Sequence, residues 1–102
     1  MFKAMIMLTR GEDMTHEDFR RWWIDEHQQL AQQLPGVRKI RFNVVDQDDT
    51  ATCDGIAELW FDSKDAFAAA YATEIGKIVA ADSLSHVAGR VRMFAEEIEV
   101  LG

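Results

Sequence analysis

"THEDFRRWWIDEHQQLAQQLPG", Thr15 to Gly36, is the stretch on which the fold turns. Thr15 with Asp18 three residues on reads as a capping box, and it sets Glu17 and Asp18 at the positive end of a helix. From there Phe19, Trp22, Trp23, Leu30, Ala31 and Leu34 recur at helical spacing, while Arg20, Arg21, Asp25, Gln28, Gln29 and Gln32 fall mostly on the other side. Leu34-Pro35-Gly36 ends the helix. At about 100° per residue, His27 falls inside the apolar arc, between Leu34 and Ala31 and one turn beyond Trp23. It therefore faces whatever sheet the helix covers. Two readings stay open: a core histidine with one nitrogen hydrogen-bonded, or an acid–base group titrating near neutrality.

Outward from this helix the pattern changes period. Phe2 to Thr9 is an apolar run bounded by Arg10-Gly11, hydrophobic on both alternating faces, as a strand covered on both sides would be. Lys39 to Val45 alternates Ile40, Phe42 and Val44 with Arg41 and Asn43; "DQDDTATCDG" is a polar loop with a turn at Asp54-Gly55, and "IAELWF" is the next strand. Asp62-Ser63 offers a cap for a second helix from Asp65 to about Tyr71, and a weaker helical stretch runs from Ile75 to Ala81, with a break expected at Gly76. "VAGRVRMFAEEIEVL" reads as the closing strand. The order βαββαβ predicts an α+β, ferredoxin-like domain spanning 1–102, with both helices on one face of a four-stranded antiparallel sheet. The other face then carries apolar residues into water, and a second copy of the chain is the expected cover.

Composition narrows the function classes. Eighteen acidic against 11 basic residues give a net charge of −7, which disfavours phosphate backbones and anionic lipid surfaces, so neither nucleic acid nor membrane is an expected partner. Cys53 is the one cysteine, which excludes an intrachain disulfide or thiolate cluster and points to a cytoplasmic address. The apolar run before Arg10 is too short for a signal peptide or a bilayer span, and the mature chain is expected to begin at its own methionine. Three histidines without close pairing suggest no metal site, and no glycine-rich loop opens a helix, so no cofactor is expected.

"MLTRGEDMTHEDFRRWWIDEHQQLAQQLPGVRKI" followed by "CDGIAELWFDS" resembles the EthD family of dimeric α+β barrel proteins, nearly end to end. The resemblance rests on Phe19, Trp23, His27 and Leu34-Pro35-Gly36, and on Asp54 to Phe61. It implies a dimeric barrel with a cavity between sheet and helices in each subunit. Similar barrels include methylmuconolactone isomerases, fungal dehydratases of aromatic polyketides and cofactor-free quinone-forming monooxygenases, so the implied ligands are small cyclic or aromatic acids and phenols. The first helix of the family carries the histidine that is His27 here. A basic position common in the family is matched by Arg10.

Two functions from different classes follow. In one, a cofactor-free isomerase, dehydratase or lyase uses His27 to move a proton, with Trp23 as a flat wall and Asn43, Tyr71 and Arg10 as ligand contacts. In the other, a non-catalytic dimer holds a small apolar or aromatic molecule in the same pocket. Glu58, mid-strand, needs a partner, with Arg41 the first candidate and Asn43 another. Glu26 is expected to pair with a surface arginine, His16 to be exposed, and His86 to lie in the loop before the last strand as a second acid–base candidate.

Overall fold

The structure, a computed structural model, describes all 102 residues. The chain runs β1 (Phe2–Arg10), a long first helix, β2 (Lys39–Val44), β3 (Gly55–Trp60), α2 (Lys64–Ala72), α3 (Glu74–His86) and β4 (Val87–Glu96). The first helix, α1, joins an α-helical start (His16–Arg21), a π-helical segment (Trp22–His27) and a last α-helical turn (Gln28–Ala31). The four strands form one antiparallel sheet in the order β2-β3-β1-β4. This is the expected ferredoxin-like arrangement.

Strand alternation assigns the two faces. Ala4, Ile6 and Leu8 of β1 and Ala57 and Leu59 of β3 are buried in one core with Phe19, Trp22, Trp23 and Leu34, and with Phe67, Ala70 and Val79 of the later helices. All three helices thus pack on one side of the sheet. The opposite parity brings Met5 beside Met93 and Met7 beside Ile56 and Val91 on the helix-free face. Val91 and Met93 are 57% and 45% exposed there.

Glu58 also lies on that helix-free face and is only 19% exposed. Its partners are Lys3, whose Nζ lies 2.8 Å away, and Asn43, whose Nδ2 donates at 3.0 Å. Arg41 sits opposite Glu58 in the ladder, yet its guanidinium reaches the Ile40 carbonyl instead. The lysine of the central strand takes the position expected of the arginine. Trp60 is covered on the same face by the ammonium groups of Lys3 and Lys39, 5.1 and 4.6 Å from its ring centre, and donates to Glu97.

The α1 cap forms as the sequence suggests. The Thr15 hydroxyl accepts from the Asp18 N–H, and the Asp18 carboxylate accepts from the Thr15 N–H. The later elements differ from expectation in two places. The chain breaks at Thr73 rather than at Gly76, because Thr73 caps α3 by accepting from the Gly76 N–H, which puts Gly76 inside the first turn and carries the helix on to His86. The closing strand stops at Glu96, since Phe2, the first residue of β1, is its last ladder partner. Ile98, Val100 and Leu101 project beyond the sheet.

Gly76 has a packing reason of its own. A Cβ there would lie 2.5 Å from the Tyr71 Cα and closer still to the Ala70 carbonyl oxygen, both backbone atoms of α2. Replacing a helical glycine by alanine ordinarily stabilises a protein by about 0.5–1 kcal/mol. Gly76→Ala should do the reverse, costing about 1–3 kcal/mol through overpacking against backbone, seen as a lower urea midpoint.

Candidate functional site

His27 is 5% exposed, at the end of the π-helical segment. Five residues apart on an α-helix means about 140° of rotation, but the i→i+5 repeat of a π segment brings such residues towards one side. Trp22 and His27 accordingly face the same way, their rings 5.0 Å apart. Both meet Asp82 of α3: His27 Nδ1 lies 2.8 Å from Asp82 Oδ2, and Trp22 Nε1 donates to the same oxygen at 3.2 Å. A carboxylate only accepts, so Nδ1 carries the proton and Nε2 is left as the free, basic nitrogen. His86 completes the group, stacked on Trp22 at 4.3 Å, with its Nδ1 2.8 Å from the Asp82 carbonyl oxygen.

Burial holds the His27 pKa below its ordinary value; the Asp82 carboxylate opposes this, and the nearby His86 and Arg90 push it further down. The ring is therefore neutral at pH 7. It lines a crevice of about 20 Å³ with Trp23, Phe42, Leu59, Tyr71, Ser83 and Arg90 among its neighbours. That is room for about one water molecule, or one end group of similar size. Trp23 forms a wall, stacked on Phe42 at 4.2 Å and nearly parallel, and its buried Nε1 has no acceptor within the chain.

The other expected site residues divide. Tyr71 is brought to the crevice, and burial raises its pKa, so its hydroxyl stays a donor. Asn43 is not brought there: strand parity puts it on the helix-free face, donating to Glu58 and to the Ile56 carbonyl. Arg10 is also elsewhere, its guanidinium 2.9 Å from Asp54 Oδ1. His16 is not free in solvent but half-buried, 2.8 Å from the same oxygen. Burial works against ionisation of Asp54, yet the Arg10 N–H, the His16 ring and the Arg10 guanidinium together hold its pKa below the usual range. Glu26 is exposed and makes no ion pair, and His86 is the last residue of α3 rather than part of a loop. No three metal-ligating side chains converge.

Asp82 was missed by the sequence reading. The available signal was its place four residues before His86, just beyond Ala81, where the expected helical stretch stopped.

Residues 11–88 match the EthD domain. This chain belongs to the EthD family. Its fold is similar to that of an EthD family protein from Bacillus halodurans C-125, at 20% identity over 96% of this chain and 99% of the other, with a TM-score of 0.83. It is also similar to a dimeric ferredoxin-like protein of unknown function from Thermobifida fusca YX (15% identity, 92% and 88% covered, TM-score 0.74). A third similar structure is that of SnoaB, a cofactor-independent oxygenase from Streptomyces nogalater (13% identity, 98% and 95% covered, TM-score 0.69). No curated protein sequence matches the chain significantly. The EthD match takes in Trp22, His27, Asp82 and His86 and ends before Arg90.

In this EthD domain the buried neutral imidazole makes stability depend on pH. Its folded pKa lies below the unfolded value of about 6.5, so between the two the unfolded chain binds the extra proton. The contribution is complete above the unfolded pKa and is lost as pH falls through the folded one. Urea unfolding should show wild-type stability falling, as pH drops below the unfolded pKa of about 6.5, more steeply than that of His27→Gln, which lacks this titration.

Proposed function

We propose that the chain is a cofactor-free enzyme that moves a proton on a small cyclic or aromatic acid or phenol, with His27 as the base. The observation that carries this reading is the His27–Asp82 pair at the crevice. Asp82 fixes the tautomer and would stabilise the imidazolium formed when Nε2 takes a proton from the substrate. Trp22 holds the carboxylate in place by donating to the same oxygen. The proton removed from one substrate atom returns from Nε2 to another carbon, completing an isomerisation, or to a departing hydroxyl, completing a dehydration. No net proton or electron is consumed. Similarity to a cofactor-independent oxygenase supports a small-molecule role for this fold while leaving the reaction class to the site itself.

A second reading has its own support. The narrowness of the crevice fits a non-catalytic EthD-type binding protein whose ligand barely reaches the imidazole. The two separate on one experiment. Ligands found by mass spectrometry of the purified protein, and by thermal shift with aromatic and lactone acids, are incubated in deuterated water, and incorporation of deuterium is followed. The enzyme reading expects exchange that falls by about 10²–10⁴ in His27→Asn with folding retained. Exchange unaltered by His27→Asn, or absent in wild type, rejects it.

We further propose a homodimer closed through the helix-free faces and resident in the cytoplasm. Met5, Met7, Ile56, Val91 and Met93 form the apolar surface it would cover, and similar structures are described as dimeric. No helix is long and apolar enough to cross a membrane. Analytical ultracentrifugation at low micromolar concentration should give a dimer, and Met93→Lys with Val91→Lys should shift it to monomer or unfolded chain. A folded wild-type monomer would reject the dimer.

A further inference from the structure

A second cavity, of about 340 Å³, lies against the edge strand β4 and is lined by Phe67, Tyr71, Phe94, Lys64, Arg90 and Arg92, with Ala68 and Ala80 completing it. It shares Tyr71, Ala80 and Arg90 with the His27 crevice. Its lining contains three cations and no carboxylate. Lys64, Arg90 and Arg92, like Arg20, Lys39, Arg41 and Lys77, make no ion pair, and none of the three pocket side chains donates a hydrogen bond within the chain. Their neighbours are aromatic faces: the Arg92 guanidinium lies 4.6 Å from the Phe94 ring centre and 5.6 Å from that of Phe67, and the Lys64 ammonium 5.1 Å from Phe94.

The strand's register makes the arrangement more telling. Beside β1, Arg90 stands opposite Leu8 and Arg92 opposite Ile6, both core positions, while Val91 and Met93 take the exposed parity. An ordinary two-layer sheet would put the apolar pair inside and the arginines in water. Here the arginines are the ones turned to the helix side; Arg92 and Lys64 stay exposed, but Arg90, with five donors and no acceptor, is half-buried, which is costly unless something anionic meets it.

We propose that Lys64, Arg90 and Arg92 are the carboxylate-binding end of the ligand pocket, and that the ligand is a flat aromatic or conjugated monocarboxylic acid lying against Phe67, Tyr71 and Phe94. This rests on the proposed use of the adjoining crevice for the reacting end. Arg90, shared by the two cavities, pairs with the carboxylate and sets how far the reacting atom reaches towards His27. Tyr71 donates its hydroxyl to the same group. Three cations on one anion leave a phenol or a neutral amide with much weaker binding.

Isothermal titration with 2-naphthoate and 2-naphthamide, at low salt, tests this on the full chain. Naphthoate should bind at least about tenfold more tightly than the amide, a difference of about 1.4 kcal/mol. Its chemical-shift perturbations should centre on Tyr71, Arg90 and Arg92. Arg90→Gln and Arg92→Gln should each erode the preference, and Arg20→Gln, an exposed α1 cation, should leave it intact. If Arg90→Gln does not fold, the exposed Arg92 carries the same test. Equal binding of acid and amide, no saturable binding of naphthoate, shifts centred elsewhere, or a preference kept by both folded arginine variants would overturn the proposal. His27→Asn separates it from the proton-transfer reading: naphthoate binding unchanged in that variant supports the carboxylate site whether or not any turnover is found.

Discussion

Asp82 is the point on which the site depends. One carboxylate oxygen on α3 receives both the Trp22 indole N–H and the His27 ring N–H from α1. It therefore adds a polar tie between two helices that also pack directly, with Trp22 stacked on His86. The π segment is what makes the double contact possible, since on a regular α-helix two side chains five residues apart diverge. The helix gives up regular i→i+4 geometry over Trp22–His27 and gains an oriented imidazole with a defined tautomer. A π-bulge at such a position is a common mark of function rather than of poor helix formation.

The architecture was legible in the sequence because period and punctuation agreed. Thr15 and Ser63 cap as they read, and the alternation in β2 and β3 matches the ladder. The site was less legible, for identifiable reasons. A wheel at constant pitch places Trp23 and His27 well but cannot align Trp22 with His27. Ending the weaker helical stretch at Ala81 hid the length of α3, and with it Asp82, while Thr73, three residues before the glycine read as a break, was the better signal for its start. Asn43 was read by residue type and Arg10 by its family position, whereas strand parity and the Asp54 carboxylate decide where they point.

Electrostatics divide the molecule in a way that composition conceals. Lys3, Arg10 and Arg38 each hold a carboxylate, on Glu58, Asp54 and Asp62. These pairs tie strand to strand, strand to loop and loop to loop, respectively, and leave none of these three charges free for a ligand. The surrounding acidity repels polyanions at long range, while a local cationic pocket still attracts a single carboxylate at short range, because screening confines the repulsion to about 8–10 Å at ordinary ionic strength. Net charge thus argues against nucleic acid without arguing against a small acid.

The edge strand β4 ties these features together. Its odd residues Val91 and Met93 lie with Met5 and Met7 on the helix-free face, and its even residues Arg90, Arg92 and Phe94 lie on the helix side beside the aromatic cluster. Because side-chain direction alternates strictly, one register assigns both faces at once, and a slip of one residue would exchange them. In the proposed dimer the apolar outer face packs under a second sheet, and in the proposed pocket the half-buried Arg90 of the inner face meets a carboxylate. One register against β1 thus sets where both proposed contacts stand relative to His27.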